Sequence, residues 1–332
     1  MSRPRLAFVG LGWIGAMRLE AVAGTGRADI VALCDATPGR LESTAREYPR
    51  ASCFASCDEL LARAGDLRLS GLVIATPNAL HAPQTLAALD AGLAVFCQKP
   101  LALHAREARE MVAAARQADR LLGVDYSYRF TQGAQHLRER LGRGELGRLF
   151  SLDTVFHNAY GPDKPWCFDR RLSGGGALID LGVHLIDLAF WLLDDPAVRD
   201  VRGAVFRGGE LLQERDVDDA ASVRIELEDG AVVTLAVSWN AHAGADCVIK
   251  ATLLGSQGGA EFRNIEGSFY DFELARFAGR STEIELRESR DWLGKAIVDW
   301  VDRLAAANRF DPEIERSIRV SEVVDAVYGR AQ

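Results

Sequence analysis

Over the first 125 residues, short apolar runs alternate with stretches in which apolar residues recur every three or four positions. The runs are too short for helices and indicate buried strands at 6–9, 30–34, 72–75, 93–97 and 121–124. The amphipathic stretches between them predict helices at 14–23, 39–48, 58–63, 80–91 and 105–118. Strands and helices that alternate in this way form a parallel, doubly wound sheet.

The pattern changes after about residue 125. Helices are predicted at 135–143 and 177–193 with a strand at 149–157 between them, and strands then follow each other at 223–227, 233–239 and 248–254. Alternating polarity on both sides of Asp229-Gly230 predicts an antiparallel hairpin. We therefore expect an α/β fold with two domains, 1–125 and an α+β domain at 126–312. A helix at about 313–330 is a candidate to pack back on the first domain.

Composition narrows the classes of function. A net charge of −8 argues against nucleic acid as a partner, because an acidic surface repels phosphate groups. The first apolar run is too short for a signal peptide, and Asp180, His184 and Asp187 interrupt the longest apolar segment, which argues against a membrane span. The six cysteines are scattered and lack zinc-site spacing. We expect reduced thiols, no metal site, no membrane partner and a cytoplasmic location.

A Gly-x-Gly-x-x-Gly loop follows the first predicted strand and opens the first predicted helix. It consists of Gly10, Leu11, Gly12, Trp13, Ile14 and Gly15. Such a loop lets backbone N–H groups approach a pyrophosphate at the helix N-terminus. Asp35 ends the second strand, where a carboxylate accepts hydrogen bonds from the adenosine ribose, although it could also be a solvated strand end. NAD is expected over NADP because Asp35 repels a 2′-phosphate, a preference that Arg40 could soften.

Polar residues follow the fourth and fifth predicted strands, at the sheet edge where doubly wound folds bind ligands. They are Thr76, Pro77, Asn78 and His81 after one strand and Gln98 and Lys99 after the next. Only four of the 39 basic residues are lysine, so arginine is the usual source of positive charge in this chain. Lysine has an amine that can lose its proton when it is desolvated. We therefore interpret Lys99 as a functional residue rather than as an ordinary surface charge.

Three ionisable residues lie within the apolar helix predicted at 177–193. Asp180, His184 and Asp187 have the spacing i, i+4, i+7 and share one helix face. A structural buried network is one explanation, since buried polar groups need partners. The glycines at 174–176 allow a ligand or a backbone segment to come close, which favours an active site.

The ordered set of these motifs resembles the glucose–fructose oxidoreductase / inositol dehydrogenase / MocA (Gfo/Idh/MocA) family. The matching segments are GLGWIG (10–15), Asp35, ATPNALH (75–81), QKP (98–100), GELGR (144–148), GGGALIDLGVHLIDLAFWLL (174–193) and SWNA (238–241). The resemblance spans nearly the whole chain, and the lysine-proline pair combined with Asp-x-Gly-x-His is its most specific part. It implies an N-terminal Rossmann domain, a C-terminal domain with a large, mainly antiparallel open sheet, and bound NAD(P).

The resemblance also assigns residues. Lys99, Asp180 and His184 match the catalytic set, with His184 as the proton carrier. Arg129 and Trp166 match positions near the nicotinamide and substrate, and Tyr126 is a weaker candidate for a substrate contact. The family usually has glutamate where this chain has Gln98. Glutamine keeps an acceptor for a ribose hydroxyl but loses the negative charge beside Lys99.

The expected function is hydride transfer between NAD(H) and a carbinol or keto carbon of a sugar, inositol or nucleotide sugar. Lys99 and His184 would act together on the substrate oxygen. One alternative is an NAD-dependent glycosidase that oxidises its sugar transiently. A second is a non-catalytic NAD(H)-binding sensor, which would need no proton carrier. A homo-oligomer is expected, because few helices are available to cover both faces of the C-terminal sheet. The resemblance implies a homodimer or homotetramer through this sheet.

Overall fold

A computed structural model of the protein describes residues 3–212 and 216–330, which form two compact units. The first unit runs through Asp125 and resumes over Leu293–Ile318. The second comprises Tyr126–Trp292 and continues from Arg319. The segment that returns to the first unit overlaps the start of the helix predicted at about 313–330, and the rest of that helix belongs to the second unit.

The secondary structure has two different parts, one in which strands and helices alternate and one in which strands predominate. In chain order the helices are α1 (Trp13–Thr25), α2 (Pro38–Glu47), α3 (Cys57–Ala62), α4 (His81–Asp90), α5 (Ala105–Ala118), α6 (Gln132–Gly142), α7 (Arg170–Ser173), α8 (Val183–Leu192), α9 (Lys295–Ala306) and α10 (Arg316–Val327). The strands are β1 (Arg5–Val9), β2 (Asp29–Cys34), β3 (Ser52–Phe54), β4 (Gly71–Ile74), β5 (Ala94–Cys97), β6 (Leu122–Val124), β7 (Leu149–Asn158), β8 (Val198–Arg207), β9 (Glu210–Leu211), β10 (Ala220–Leu227), β11 (Val232–Ser238), β12 (Cys247–Gly255), β13 (Gly259–Asn264), β14 (Phe272–Ala278) and β15 (Ser281–Glu288).

The first unit contains a parallel sheet of six strands in the order β3-β2-β1-β4-β5-β6. All five predicted strands are present, and β4 and β5 are buried throughout, as expected for strands covered on both faces. The sixth strand, β3, was not predicted because it has only three residues, two of which are exposed. The strand order reverses between β1 and β4, where doubly wound sheets bind their ligands beyond the strand ends.

Helix α9 explains why the returning segment belongs to the first unit. Its buried residues lie on one face and include Trp300 and Leu304. The indole of Trp300 lies so close to the sheet that a side chain at Gly71 or Gly123 would meet it at 2.7 or 2.8 Å. The two glycines therefore leave room for an aromatic ring that the helix brings from a distant part of the chain.

The second unit contains a sheet of nine strands in the order β15-β14-β13-β12-β7-β11-β10-β8-β9. Strands β7 and β11 pair in parallel, and the other neighbours are antiparallel. The predicted hairpin is confirmed as β10 and β11, with Gly230 at a φ of 90°. The edge strands on both sides had not been predicted.

Burial alternates along the central strands of this sheet. Val223 and Ile225 are buried, whereas their neighbours Ser222 and Arg224 are exposed. Helices α6 and α8 pack on the sheet. The second face carries half-buried residues such as Val232 and Ala236 between polar ones. One face is therefore part of the core, and the other is a mixture of apolar and polar residues.

The apolar helix predicted at 177–193 has two parts. A π-helical turn, Leu178–Gly182, leads directly into α8. Within the described residues, one helical stretch, Arg170–Leu192, is apolar and long enough to cross a membrane, and 89% of its apolar window is buried inside the protein. A largely buried stretch of this kind is typical of a core helix.

The glycines before the π-helical turn are close to protein groups. A side chain at Gly176 would meet the backbone oxygen of Asp218 at 1.7 Å, and one at Gly175 would meet the Tyr328 hydroxyl at 2.2 Å. The buried Asp218 carboxylate accepts hydrogen bonds from the N–H groups of Gly176 and Leu178 at 2.7 and 2.8 Å and from the Tyr328 hydroxyl at 2.6 Å. Burial raises the pKa of Asp218, although these donors oppose the shift. Of the two roles considered for these glycines, the structure therefore favours close approach by the backbone.

We expect Asp218→Asn to destabilise the protein by about 1–3 kcal/mol, because an amide nitrogen must then face one of the buried N–H donors. Turnover should fall further than stability explains, because the same hydrogen bonds hold the start of the segment that carries Asp180. Thermal unfolding and steady-state kinetics on one preparation would measure both effects.

The exposed Asp216→Asn is a matched control, since it makes the same change two residues away at the surface. Tyr328→Phe removes one donor and leaves both backbone hydrogen bonds, so its effect should be smaller. Equal stability of Asp218→Asn and Asp216→Asn would contradict this role for Asp218.

Candidate active site and cofactor-binding residues

The glycine loop joins β1 to α1, and its glycines have different surroundings. Gly10 has a φ of 85°, and a side chain there would meet the Ala75 carbonyl oxygen at 2.5 Å. A side chain at Gly15 would meet the Gly10 oxygen at 1.9 Å. A side chain at Gly12 would meet nothing within 4 Å, and α1 has no side-chain cap at its N-terminus. Gly10 and Gly15 therefore permit close packing, whereas Gly12 leaves room for a ligand to approach the helix N-terminus.

Asp35 connects this loop to the end of β2. Its carboxylate accepts hydrogen bonds from the N–H groups of Leu11 and Thr37, at 2.7 and 2.8 Å, and Arg40 lies 3.2 Å away. Burial alone would raise the pKa of Asp35, but these hydrogen bonds and the Arg40 guanidinium outweigh it and lower the pKa below its usual value. Asp35 is therefore held as a carboxylate, whose oxygens can each accept a further hydrogen bond.

His81 lies between the loops that follow β4 and β5. It is fully buried, and its two ring nitrogens lie 2.9 Å from the Thr76 carbonyl oxygen and 2.8 Å from that of Pro100. Burial lowers the pKa of His81, and the neutral ring can donate to only one of the two carbonyls. Instead of offering a ring nitrogen to a ligand, His81 joins the Thr76-Pro77 turn to the segment that contains Lys99. Pro77 and the buried Asn78 stand at the start of the turn that leads into α4.

Gln98 and Lys99 follow β5. The Gln98 N–H extends the sheet by donating to the Ile74 oxygen at 2.9 Å, and its side-chain amide donates to the carboxylate of Asp125. Gln98 is buried, whereas Lys99 is half-buried. Asp125 also forms an ion pair with Arg18, and it is a residue that sequence reasoning did not select.

In the second unit, the three ionisable residues on the apolar helix divide into two groups. Asp180 and His184 are the two half-exposed residues within 173–192, whose other members are all buried. Asp187 is buried and forms a bidentate ion pair with Arg129, with 2.7 Å between Arg129 Nε and Asp187 Oδ2. Asp180 and His184 therefore remain accessible to a ligand, while Asp187 holds Arg129.

Aromatic side chains surround these accessible residues. The His184 ring lies 5.2 Å from that of Tyr128 and 6.5 Å from those of Tyr126 and Phe156, measured between centroids. The indole N–H of Trp239 donates to Asp180 Oδ2 at 3.1 Å. The Arg129 guanidinium also lies over the Tyr126 ring.

Several of these neighbours were not selected from the sequence. Trp239 lies within the SWNA motif and Tyr128 begins the segment Tyr128-Arg129-Phe130 that contains Arg129, so a signal existed for both. Asp218 had no motif that distinguished it from packing residues. Trp166, which was selected, is half-buried in the turn Pro165–Phe168. In the part of the chain that the structure describes, no group of three or more His, Cys, Asp or Glu side chains could hold a metal ion.

The residues of the first unit fit a dinucleotide. Gly12 has open space beside the N-terminus of α1, where N–H groups and the helix dipole stabilise phosphate charge. Asp35 supplies a carboxylate at the end of β2, and Thr76, Asn78, Gln98 and Lys99 follow the neighbouring strands. This combination of open backbone and carboxylate is the arrangement that a nicotinamide dinucleotide requires.

Two family models match the chain. Residues 4–126 match the oxidoreductase family with an NAD-binding Rossmann fold, and residues 134–261 match the GFO/IDH/MocA C-terminal domain. D-glucoside 3-dehydrogenase of Escherichia coli (strain K12) is 29% identical over 270 residues, which cover 77% of this chain and 76% of the relative. A myo-inositol dehydrogenase of Streptomyces leeuwenhoekii is 32% identical over 257 residues, which cover 77% of this chain and 75% of the relative.

Solved structures show the same fold over the whole chain. GenD2 from gentamicin A biosynthesis, in complex with NAD, has a TM-score of 0.82 at 26% identity and covers 99% of this chain and 94% of its own. Levoglucosan dehydrogenase, in complex with NADH and levoglucosan, has a TM-score of 0.83 at 21% identity and covers 99% of this chain and 97% of its own. At this level of identity the likeness supports the fold alone. The two matched domains, the strand orders and these relatives together show that the chain belongs to the Gfo/Idh/MocA family of NAD-binding oxidoreductases.

Proposed function

We propose that this protein is an NAD-dependent dehydrogenase or reductase that acts on a carbinol or keto carbon of a sugar, an inositol or a nucleotide sugar. The observation that carries the proposal is the exposure of Asp180 and His184 on a helix that is otherwise buried. An accessible carboxylate and imidazole beside aromatic rings suit a polar substrate with an apolar ring face. The relatives act, by their names, on a glucoside and on myo-inositol, which have several ring hydroxyl groups.

The cofactor would be held by the first unit, with NAD favoured over NADP. The glycine loop, with the exposed Trp13 and half-buried Ile14 beside it, would receive the pyrophosphate. Asp35 would accept from the adenosine ribose, and Thr76, Pro77, Asn78, Gln98 and Lys99 would lie on the nicotinamide side. His81 would act through the two loops that it joins. When bound, the nicotinamide supplies the hydride acceptor or donor.

The protein residues would manage the proton. During oxidation His184 would take the hydroxyl proton, and Lys99 would donate a hydrogen bond to the same oxygen and stabilise its developing charge. Asp180, oriented by Trp239, would position a substrate hydroxyl. Trp166 would offer a ring face to the substrate. Tyr126 is buried beneath the Arg129 guanidinium, and it would support the neighbouring His184 ring instead of contacting the substrate with its face.

We also propose a cytoplasmic location and a homo-oligomer. None of the six cysteines forms a disulfide, which suits a reducing compartment. The second face of the nine-stranded sheet carries the half-buried Val232 and Ala236 between polar residues, and such a face suits a symmetric contact.

Cofactor preference should depend on Asp35. Asp35→Ser is expected to weaken NAD binding by about 10- to 100-fold, because hydrogen bonds to a charged group are lost. Binding of NADP should weaken less or improve, since the negative charge is gone and Arg40 is released from its ion pair. Calorimetric titration with both dinucleotides measures the ratio, and Asp35→Ser/Arg40→Ala should lose the gain. Equal affinity of the wild-type protein for NAD and NADP would show the assignment of Asp35 to be wrong.

Catalysis should depend on Lys99 and His184. Lys99→Ala and His184→Ala are each expected to lower kcat by about 10²–10⁴-fold while NAD binding and thermal stability are retained. The two effects should be less than additive, because both groups would act on one oxygen. Lys99→Arg keeps the charge but not the titratable amine, so it separates electrostatic from proton-transfer roles.

A panel of inositols, free sugars and nucleotide sugars, followed by NADH absorbance, supplies the substrate for these measurements. A folded variant that binds NAD and turns over at the wild-type rate would remove that residue from the mechanism. If no member of the panel changes the NADH absorbance, the proposed substrate class is wrong.

The mass in solution should be a multiple of the chain mass. Light scattering at micromolar concentration is expected to give a dimer or tetramer. Ala236→Glu should shift the mass towards monomer, because a buried charge without a partner is costly. A monomeric mass for the wild-type protein would contradict the proposed association.

A further inference from the structure

Three buried polar side chains converge on one carboxylate oxygen in the first unit. Arg18 lies on α1, Gln98 follows β5 and Asp125 follows β6, and their exposed fractions are 4%, 6% and 1%. Arg18 Nε donates to Asp125 Oδ2 at 2.5 Å, and the side-chain amide of Gln98 donates to the same oxygen. The set joins residues that are 107 and 27 positions apart in sequence. A buried carboxylate with two such donors is held in one orientation.

The backbone holds the same residues in place. The Gln98 N–H donates to the Ile74 oxygen at 2.9 Å, and the Asp125 N–H donates to the Cys97 oxygen at 3.0 Å. Both residues therefore continue the ladders of the parallel sheet by one hydrogen bond. Side chains that start from the sheet itself have little freedom to move apart, so their contact is a fixed feature of this edge.

The three side chains of Arg18, Gln98 and Asp125 have no net charge only when residue 98 is neutral. Asp125 and Arg18 form a buried ion pair, and the Gln98 amide adds a donor without adding charge. Because its Nε2 donates to Asp125, the other end of the amide, Oε1, is the end that remains for a donor outside the set. Gln98 directly precedes Lys99, so the orientation of this amide is set beside a residue of the proposed active site.

We propose that Asp125, held by Arg18, is a positioning residue that orients Gln98 so that its Oε1 accepts a hydrogen bond from a ribose hydroxyl of the cofactor. Gln98 and Asp125 form a matched pair, in which one position carries an amide and the other a carboxylate. The cofactor contact rests on the proposed function, whereas the pairing is a property of the protein without cofactor.

The matched pair predicts how the stability of the Gln98→Glu variant depends on pH. Gln98→Glu places two carboxyl groups within hydrogen-bonding distance in a buried site, where one of them must keep a proton. The pKa of that group in the folded protein is then above its value in the unfolded chain. Between these two pKa values the folded state binds more protons than the unfolded state. The free energy of unfolding of Gln98→Glu therefore falls as pH rises from the lower pKa to the higher one.

The first experiment uses protein without cofactor, with thermal unfolding measured from pH 5 to pH 8. Relative to wild type, Gln98→Glu is expected to lose about 3–10 °C more at pH 8 than at pH 5. Gln98→Glu/Asp125→Asn should remove this dependence, because one carboxyl group remains. The exposed Gln117→Glu and Asp90→Asn make the same changes elsewhere in the first unit and should follow the wild-type profile.

A Gln98→Glu profile parallel to that of Gln117→Glu would overturn the matched pair. If Gln98→Glu does not fold, recovery of folding in the double variant is the expected result, and failure of the double variant to fold would overturn the pairing as well.

The second experiment measures NADH affinity by fluorescence titration. Gln98→Leu, which removes the acceptor, and Asp125→Ala/Arg18→Met, which removes the anchor together with its ion-pair partner, are each expected to weaken binding by about 2- to 10-fold, the effect of one neutral hydrogen bond. Wild-type affinity in folded Asp125→Ala/Arg18→Met would overturn the positioning role. If the wild-type protein itself binds no NADH, the proposed function and the cofactor contact both fail, and the pH profiles still decide the pairing.

Discussion

A buried carboxylate must be matched by hydrogen-bond donors, and much of the local geometry of this protein follows from that constraint. Asp218 accepts from two backbone N–H groups at the start of the helical segment that carries Asp180. Asp187 pairs with Arg129, and Asp125 pairs with Arg18. Each carboxylate connects elements that are distant in sequence, so removing its donors would disturb more than one element.

The same constraint distinguishes ionisable residues that support the fold from those that a substrate can reach. Asp180, His184 and Asp187 look equivalent in the sequence, because they share a helix face in an apolar segment. In the structure Asp187 is buried and ion-paired, whereas Asp180 and His184 are half-exposed. A group that must exchange a proton with a substrate has to be reachable, which makes exposure the criterion that divides the three. The π-helical turn at Leu178–Gly182 contains Asp180, and such turns often occur at functional sites.

The sequence predicted those features that depend on local periodicity. Apolar runs identified β1, β2, β4, β5 and β6 of the parallel sheet, and alternation identified β10 and β11. Strand β3 has only three residues, and β15 is largely exposed, so neither has the burial pattern that makes a strand visible. The glycine loop, Asp35 and Lys99 follow from their positions after strands. The partners of these residues, such as Asp125 for Gln98, depend on contacts between distant positions that periodicity does not encode.

Two glycines, Gly12 and Gly176, look alike in the sequence but have different surroundings in the structure. Gly12 and Gly176 both precede a helix in a glycine-rich motif, and from the sequence alone both suggest close approach by a ligand. A side chain at Gly12 would meet nothing within 4 Å, whereas one at Gly176 would meet the Asp218 backbone oxygen at 1.7 Å. The first glycine therefore leaves room that a phosphate can use, and the second is required by the packing of the chain on itself. A glycine near a candidate site indicates a ligand only where the space beside it is not taken by the protein, and this difference distinguishes the glycine loop after β1 from the glycines that precede the helix carrying His184.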